Sequence, residues 1–464
     1  MKRIRTFLTP TQHSEAGFTI IEVVVAMMVF AIIAVGIAYS LTTTLVTSRD
    51  SRARQVASNL AAQQIDNARS FQNVFKVDSG TSTQAVDGTT YTIKQSVNWV
   101  SSTGTASLCG TAGGLLQAKA VNVSVTWSGQ RIAGSAVQAN TMLAPSGPLN
   151  DPSMGTILVH VVNAAGTGVA GVAVSAKKDT SVSGNTAQAP NPQPPSTDAD
   201  GCSYVLKVVP GSYLITIGSA GNGYIGSDQT LTPSKPIQVK ANDSVTAEFT
   251  YDQAAMLAVT YTSTVSLAGA MFPSSLDVSL ASVNALDDVT TSVSSASASS
   301  NVPVFPFPGG YSAVFAGNSA APNGQAPACL SVNSVNWTTA NSVGAVGAPP
   351  PSVTTAAGST PPVNVAMGAV TVKNLSGKYL KAVSATPPSG SGDPGCATGS
   401  TYYFPSTIPS NSATVALPYG TWQLYYGGTS SSITTLITSS YLGSVLGTLL
   451  SGSSTITLDP RAAS

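Results

Sequence analysis

Charged residues are scarce in this 464-residue chain, where Asp, Glu, Lys and Arg make up 8% of the sequence. Ordinary soluble proteins have about 25%. The formal net charge is +1, and the basic excess lies at the start, where Lys2, Arg3 and Arg5 face only Glu15. Beyond Gly17 the chain has 17 bases and 18 acids. We therefore expect no basic surface for nucleic acid.

Histidine is nearly absent as well, with His13 near the start and His160 in the strand-like stretch ILVHVV. A Ser-His-Asp system or a His-rich metal centre cannot be assembled from these residues. The sequence therefore predicts a protein that is not an enzyme and needs no cofactor or metal.

The four cysteines are widely separated and show no C-x-x-C spacing, which argues against zinc sites and thioredoxin-like chemistry. Such spacing is typical of disulfides in an oxidising compartment. The cysteines are Cys109, Cys202, Cys329 and Cys396. Three pairings are open, and we prefer Cys329 with Cys396 because both lie in loop-like segments of adjacent units.

A long apolar run near the N-terminus contains one charged residue. Between Ile20 and Leu45 this residue is Glu22, and the run is long enough to span a bilayer as a helix. Bases precede the run and none follows until Arg49, which predicts a cytoplasmic N-terminus and an exported body. A carboxylate in hydrocarbon is costly unless it is paired, so Glu22 marks a functional position.

Gly17 stands before the apolar run, whereas a secretory signal places its small cleavage-site residues after it. A basic leader followed by Gly17, Phe18 and T-I-I-E resembles a type IV prepilin over about residues 1–70. The resemblance implies that a prepilin peptidase cuts after Gly17 and that Phe18 is then methylated. It also implies that Glu22 pairs with the N-terminal amine of a neighbouring subunit. The alternative is an ordinary membrane anchor with an interfacial Glu.

Proline is absent between Pro10 and Pro145, so one helix can continue from Phe18 to about Ser70, roughly 80 Å long. The stretch VNVSVTW alternates apolar and polar residues and predicts a half-buried strand. Together with neighbouring strand patterns it predicts a small antiparallel sheet on the helix. The expected parts are a leader (residues 1–17), a transmembrane spine helix (18–70) and a pilin-like head (71–147).

Three later segments begin alike, at Met154, Met256 and Met367, and each closes on a Pro-Gly turn with an aromatic residue. They predict β-sandwiches over residues 154–252, 256–345 and 367–460. The first resembles the carboxypeptidase regulatory-like (Cna-B-like) sandwich. Its opening strand lacks the lysine of self-crosslinking members, so no isopeptide bond is expected. The predicted fold class is a pilin-like α+β N-terminal part followed by mainly-β sandwich repeats.

Two motifs in the first sandwich suggest binding sites but fit turns better. A G-x-G-x-x-G pattern ends at Gly171 and is followed by a strand pattern, whereas a dinucleotide site needs a helix there. The stretch TDADG lacks the remaining ligands of a calcium loop. Aromatic residues near the repeat turns are interpreted as core residues, with a carbohydrate-binding or surface-binding face as the alternative. They are Phe305, Phe307, Tyr311, Tyr402, Tyr403, Phe404, Tyr425 and Tyr426.

These features predict a minor type IV pilin-like protein at or near a pilus tip, where it primes assembly or displays an adhesive surface. Expected partners are prepilin peptidase, other pilin subunits, the cytoplasmic membrane and a surface or carbohydrate ligand, without nucleic acid. The predicted location is a single-pass membrane protein that reaches the cell surface in a pilus. The alternatives are a pseudopilin of a secretion or DNA-uptake system and an anchored stalk that never polymerises.

Overall fold

The computed structural model describes most of the chain beyond residue 16. The described residues are 17–130, 135–147, 149–282, 284, 289–294, 297–319, 329–337, 348–445 and 454–463. The predicted leader apart from Gly17 lies outside them, as do parts of the predicted head and of the second and third sandwiches.

One long helix, α1, runs over Ile20–Ser70. Its 51 residues correspond to about 77 Å, so the expected spine helix is confirmed. The apolar first half is exposed, whereas one face of the second half is buried. The buried residues are Ala57, Leu60, Ala61, Ile65 and Ala68. Their spacing of three and four residues puts them on one side of the helix.

The rest of the described chain consists of strands, turns and short 3₁₀ segments. The strands are β1 Gly80–Val86, β2 Thr89–Ser101, β3 Ala106–Ser107, β4 Leu116–Trp127, β5 Val137–Leu143, β6 Gly155–Val162, β7 Val174–Lys178, β8 Cys202–Val208, β9 Gly211–Ile217, β10 Tyr224–Gly226, β11 Ser234–Val239, β12 Ser244–Gln253, β13 Ala255–Thr262, β14 Ser275–Ala281, β15 Val289–Ser294, β16 Ser299–Val304, β17 Ala313–Ala316, β18 Pro362–Ala366, β19 Gly368–Lys373, β20 Tyr379–Ser384, β21 Thr401–Tyr403, β22 Ser412–Leu417, β23 Gly420–Gly427, β24 Thr435–Leu436, β25 Leu442–Val445 and β26 Thr455–Leu458.

The first sheet has the order β1-β2-β4-β5, with β3 paired to β2. The predicted alternation in β4 is confirmed, because every second residue from Val121 to Trp127 is buried and those between are half-buried. These side chains form one hydrophobic cluster with the buried face of α1 and with Tyr91, Ile93 and Val97 of β2. The sheet therefore packs on the C-terminal half of the helix.

The chain divides into two compact units, one of residues 1–97 and 120–143 and the other of residues 98–119 and 144–464. The division falls within β2 and β4 and differs from the predicted head, residues 71–147. Residues 98–119 group with the later chain because a disulfide joins Cys109 to Cys202. In addition, Trp99 Nε1 donates a hydrogen bond to Tyr204 Oη at 2.7 Å.

Strands β6 to β12 form two sheets that enclose one core, as expected of a sandwich. The sheet orders are β10-β12-β6-β8 and β11-β9-β7. Strands β6 and β12 pair in parallel, and β6 and β8 pair antiparallel. Buried side chains from both sheets, such as Ile157, Ile215 and Tyr251, belong to one cluster. Because two facing sheets bury this cluster, the segment has its own core.

Strands β13 to β26 differ from the expectation of a separate core for each of the last two segments. Their sheets are β16-β13-β18, β15-β14-β17, β22-β19-β25 and β21-β20-β23-β24, with β26 on β23. Buried residues of all these sheets, including Leu257 and Leu424, form one cluster. Backbone hydrogen bonds also join the segments, since Met271 donates to Thr414 at 2.8 Å and accepts from Ala416 at 3.0 Å. The two segments share one core.

The three closing turns use their aromatic residues in the same way. In each turn, an aromatic side chain donates a hydrogen bond to a backbone carbonyl four or six residues earlier. The bonds run from Tyr213 Oη to Val209 (2.7 Å), from Tyr311 Oη to Phe305 (2.7 Å) and from Trp422 Nε1 to Pro418 (3.0 Å). This arrangement resembles the tyrosine corner of immunoglobulin-type sandwiches. It explains why a proline-containing turn and an aromatic residue recur together.

Candidate functional site

The N-terminal candidate residues surround the start of α1. Thr19 is the N-cap, with extended backbone, and its hydroxyl oxygen accepts a hydrogen bond from the Glu22 N–H at 3.4 Å. Glu22 lies in the first helical turn, where the helix dipole favours a negative charge. Its carboxylate has no hydrogen-bond or ion-pair partner among the described residues. T-I-I-E has the sequence of a capping box, but the Glu22 carboxylate does not bond the Thr19 N–H. The local role of Glu22 is therefore its favourable place in the helix dipole.

Gly17 and Phe18 precede the helix in non-helical backbone. A Cβ added at Gly17 would meet nothing within 4 Å, and Phe18 is 83% exposed. Packing against the described residues therefore does not require glycine at this position. Glycine places no side chain beside the peptide bond that joins it to Phe18.

The first half of α1 is a candidate membrane span. It contains an 18-residue window with mean hydropathy 2.9, none of it buried. Where the apolar run ends, threonine hydroxyls donate to carbonyls three or four residues earlier, which satisfies these polar groups within the helix. The donors are Thr42, Thr43, Thr44 and Thr47. Half of α1 therefore fits a bilayer, and the other half packs on protein.

Polar contacts fix the second half of α1 on its sheet. The Arg54 guanidinium lies 5.7 Å from the centre of the Trp127 ring, within cation–π range. Near the helix end, Arg69 donates to Thr141 Oγ1 at 2.9 Å. Apolar packing alone would allow the helix to rotate or slide on the sheet. These two polar contacts hold particular residues of α1 against particular residues of the sheet, so the helix has a defined orientation there.

All four cysteines are paired. The bonds join Cys109 to Cys202 and Cys329 to Cys396. The second bond is the pair preferred from the sequence, and it connects the two segments that share a core. Cys202 opens β8, so the first bond holds the loop around Cys109 to the first sandwich.

The glycine pattern in the first sandwich serves the packing of two turns. A Cβ at Gly168 would lie 2.2 Å from the carbonyl oxygen of Asp200, so the turns approach too closely for a side chain. Strand β7 follows the pattern, where a dinucleotide site would need a helix. In TDADG, Asp198 Oδ1 accepts from the backbone N–H of Asp200 at 3.1 Å and of Cys202 at 2.8 Å. Both motifs are turns whose polar groups stabilise the backbone.

His160 lies on β6, half-buried between strands β12 and β8. Its register neighbours are Glu248 and Cys202. Its Nε2 atom is buried without a hydrogen-bond partner among the described residues. Burial lowers the pKa of the imidazole, while the Glu248 and Asp200 carboxylates act in the opposite direction. Among the described residues, no group of three or more His, Cys, Asp or Glu side chains could hold a metal ion.

Most of the aromatic residues singled out from the sequence are core residues. Five of the eight are buried, namely Phe305, Phe307, Tyr311, Tyr402 and Phe404. Tyr403 is 51% exposed, and Tyr425 and Tyr426 are half-buried. The structure thus supports the core interpretation for the five and leaves Tyr403 and Tyr425 on a surface.

Sequence reasoning missed a buried polar network near the end of the chain. The Arg461 guanidinium binds the Asp459 carboxylate through Nε at 2.9 Å and Nη2 at 2.6 Å, and lies 5.3 Å from the centre of the Trp337 ring. Nearby, the Asp393 carboxylate accepts from Ser331 and from Thr421. The only signal in the sequence is that charged residues are rare there. A charge kept in such a segment usually has a fixed partner.

Comparison with known protein families finds a sequence motif at the N-terminus. Residues 12–38 match the prokaryotic N-terminal methylation motif. The chain therefore carries the methylation motif of type IV prepilins, followed by a β-rich body. No curated protein matches the chain significantly.

Several solved structures share limited similarity with the chain. The Bacillus anthracis TIE protein is 12% identical with a TM-score of 0.18, covering 77% of this chain and 71% of that chain. A streptococcal ancillary pilin is 13% identical with a TM-score of 0.20, covering 53% and 75%. BcpA, the major pilin subunit of Bacillus cereus, is 10% identical with a TM-score of 0.20, covering 59% and 87%. Similarity this low carries no inference about this chain.

Proposed function

We propose that this chain is a minor type IV pilin-like structural protein, cleaved after Gly17 and methylated at Phe18. Its N-terminus stays in the membrane until assembly, with the leader in the cytoplasm and the body outside. In the filament it stands at or near the tip, where the body primes assembly or adheres to a surface. This role needs no catalysis. The single observation that carries the proposal is the methylation motif that leads into α1.

The arrangement of α1 supports incorporation into a filament. Its first half is exposed and apolar, which suits both a bilayer and the interior of a helical bundle of subunits. The unpaired Glu22 carboxylate needs a cation once it is buried in such a bundle. The methylated amine of a neighbouring Phe18 is the partner that the prepilin resemblance implies. This pairing sets the register between subunits.

The size of the body supports a place at or near the tip. Residues 144–464 far outnumber those of the helix and its sheet, so repeated copies along a shaft would be crowded. The paired cysteines suit an oxidising space outside the cytoplasm. The same bulk disfavours a pseudopilin in a compact piston, and the methylation motif disfavours a stalk that never polymerises.

Cleavage is tested by N-terminal sequencing of protein extracted from membranes. The mature chain should begin at a methylated Phe18. Gly17→Val should block cleavage, because a branched side chain enters the protease site. Gly36→Val is the matched control, since a Cβ at Gly36 also meets nothing within 4 Å. An uncut chain, or a cut after residue 40, would refute the assignment.

Filament counts and adherence assays separate the two tip roles. A strain that lacks the chain should lose filaments if the body primes assembly. It should keep filaments and lose attachment if the body is an adhesin. Unchanged filaments with unchanged attachment would contradict both roles.

A further inference from the structure

The outer face of the sheet β21-β20-β23 carries a row of aromatic and cationic side chains. Lys381 on β20 lies directly opposite Tyr403 of β21 on one side and Tyr425 of β23 on the other. Directly opposite residues point to the same face of a sheet. The Lys381 Nζ atom lies 5.1 Å from the centre of the Tyr425 ring. Three neighbouring strands thus contribute two tyrosines and one lysine to one row.

We propose that this row binds an acidic polysaccharide, an inference that rests on the proposed adhesive function and names its ligand class. Two strand spacings place Tyr403 and Tyr425 about 10 Å apart, a separation suited to two rings of one sugar chain. An aromatic face packs against the C–H face of a sugar, and a tyrosine hydroxyl can bind its hydroxyl groups. The row therefore fits an extended chain of rings.

The next row on the same face provides hydrogen-bonding groups. Val383 lies opposite Thr401 and Gln423, and Gln423 lies opposite Thr455. The Gln423 Oε1 atom accepts from Tyr425 Oη at 2.9 Å, which holds the tyrosine in place. Hydroxyl and amide groups beside flat rings suit sugar hydroxyls better than the apolar centre of a protein interface.

Local charge favours a polyanion. Residues 367–445 contain three lysines, Lys373, Lys378 and Lys381, and a single acid, Asp393. Both oxygens of Asp393 accept hydrogen bonds from Ser331 and Thr421. Of the three lysines, Lys381 lies in the row itself, whereas Lys373 lies on β19 of another sheet. One lysine supplies a single charge contact, so the two tyrosines must provide most of the affinity for a sugar chain. Nucleic acid is disfavoured, because its affinity depends on many phosphate contacts.

Binding is tested with the full-length chain in detergent micelles at low and physiological salt. The probes are polygalacturonate and alginate, with dextran as a neutral polysaccharide and single-stranded oligo-dT as a nucleic acid. Wild type should bind the two acidic polysaccharides and prefer them to dextran and oligo-dT. Tyr403→Ala with Tyr425→Ala should weaken this binding about tenfold or more. Tyr403→Phe should retain most of it.

Lys381→Gln should weaken binding to polygalacturonate and remove most of its salt dependence. The matched control is Lys235→Gln, because Lys235 also lies over an aromatic ring, 5.3 Å from the centre of Phe249, on another sheet. Thermal unfolding of each variant confirms that it is folded.

The proposal is overturned if no acidic polysaccharide binds, if the tyrosine variant binds as wild type does, or if oligo-dT binds more tightly. Cleavage at Phe18 and entry into filaments do not enter this assay. Failure of binding therefore leaves the pilin assignment intact, and a chain that never enters filaments can still bind.

Discussion

Replacing Arg461 with methionine removes the cation from a buried ion pair and leaves the Asp459 carboxylate without its partner. Arg461 is 3% exposed and Asp459 7% exposed. The carboxylate also accepts from the Arg461 backbone N–H at 2.8 Å, so the pair closes a tight turn directly after β26. Methionine keeps much of the volume and the contact with Trp337, but it loses both the cation and the hydrogen bond that Arg461 Nη2 donates to the Ser391 carbonyl.

The expected loss of stability follows from the burial of the Arg461–Asp459 pair. Breaking a buried pair by removing one partner costs about 3–5 kcal/mol, because the remaining charge is neither hydrated nor paired. At about 1.4 kcal/mol per factor of ten, the population in which this region is open should rise roughly 10²- to 10⁴-fold. The region includes β26 and its partner β23, which pair from Gly420–Leu458 to Gln423–Thr455.

Native-state hydrogen exchange with mass spectrometry measures this opening in peptides covering β23 and β26. Exchange there should accelerate in Arg461→Met, and the peptides of α1 should not change. Asp66→Ala is the matched control: its partner is Arg69 at 3.8 Å, both side chains are exposed, and such pairs contribute about 0–1 kcal/mol. Adding Asp459→Leu to Arg461→Met should restore protection, because the stranded charge is gone. Unchanged exchange in β26 would refute the reasoning.

Two further predictions concern the N-terminus and the first sandwich. Glu22→Ala should be cleaved and inserted normally but should be scarce in sheared filaments, because it loses the charge that pairs between subunits; normal abundance there would contradict the assembly role. His160 has a pKa below its usual value near 6.5. Unfolded chains therefore bind the proton first, and stability should fall as pH drops below about 6.5. Denaturant unfolding from pH 7.5 to 5 should show this fall, and His160→Gln should reduce it. An identical pH profile in the variant would exclude the histidine as its source.

Features that depend on neighbouring residues were predictable. The order Gly17, Phe18, Glu22 and the long apolar run are local, and so is the alternation in VNVSVTW. Each pattern needs only the period of a helix or a strand to be interpreted. For this reason the long helix and the sheet beside it agree with the structure. The repeated closing turns were recognisable because proline, glycine and an aromatic residue act within a few positions of one another.

Features that depend on residues far apart required the tertiary structure. The shared core of the last two segments arises where the chain around Met271 pairs with β22, more than 140 residues later. The Arg461 network and the surface row of Tyr403, Lys381 and Tyr425 likewise join distant strands. The sequence by itself determined the long apolar helix and the strand-rich body, because helix and strand periodicity relates residues only two to four positions apart. Only tertiary structure decided which tyrosines are buried and which charges meet, because burial and pairing depend on strand register and sheet packing across the whole body.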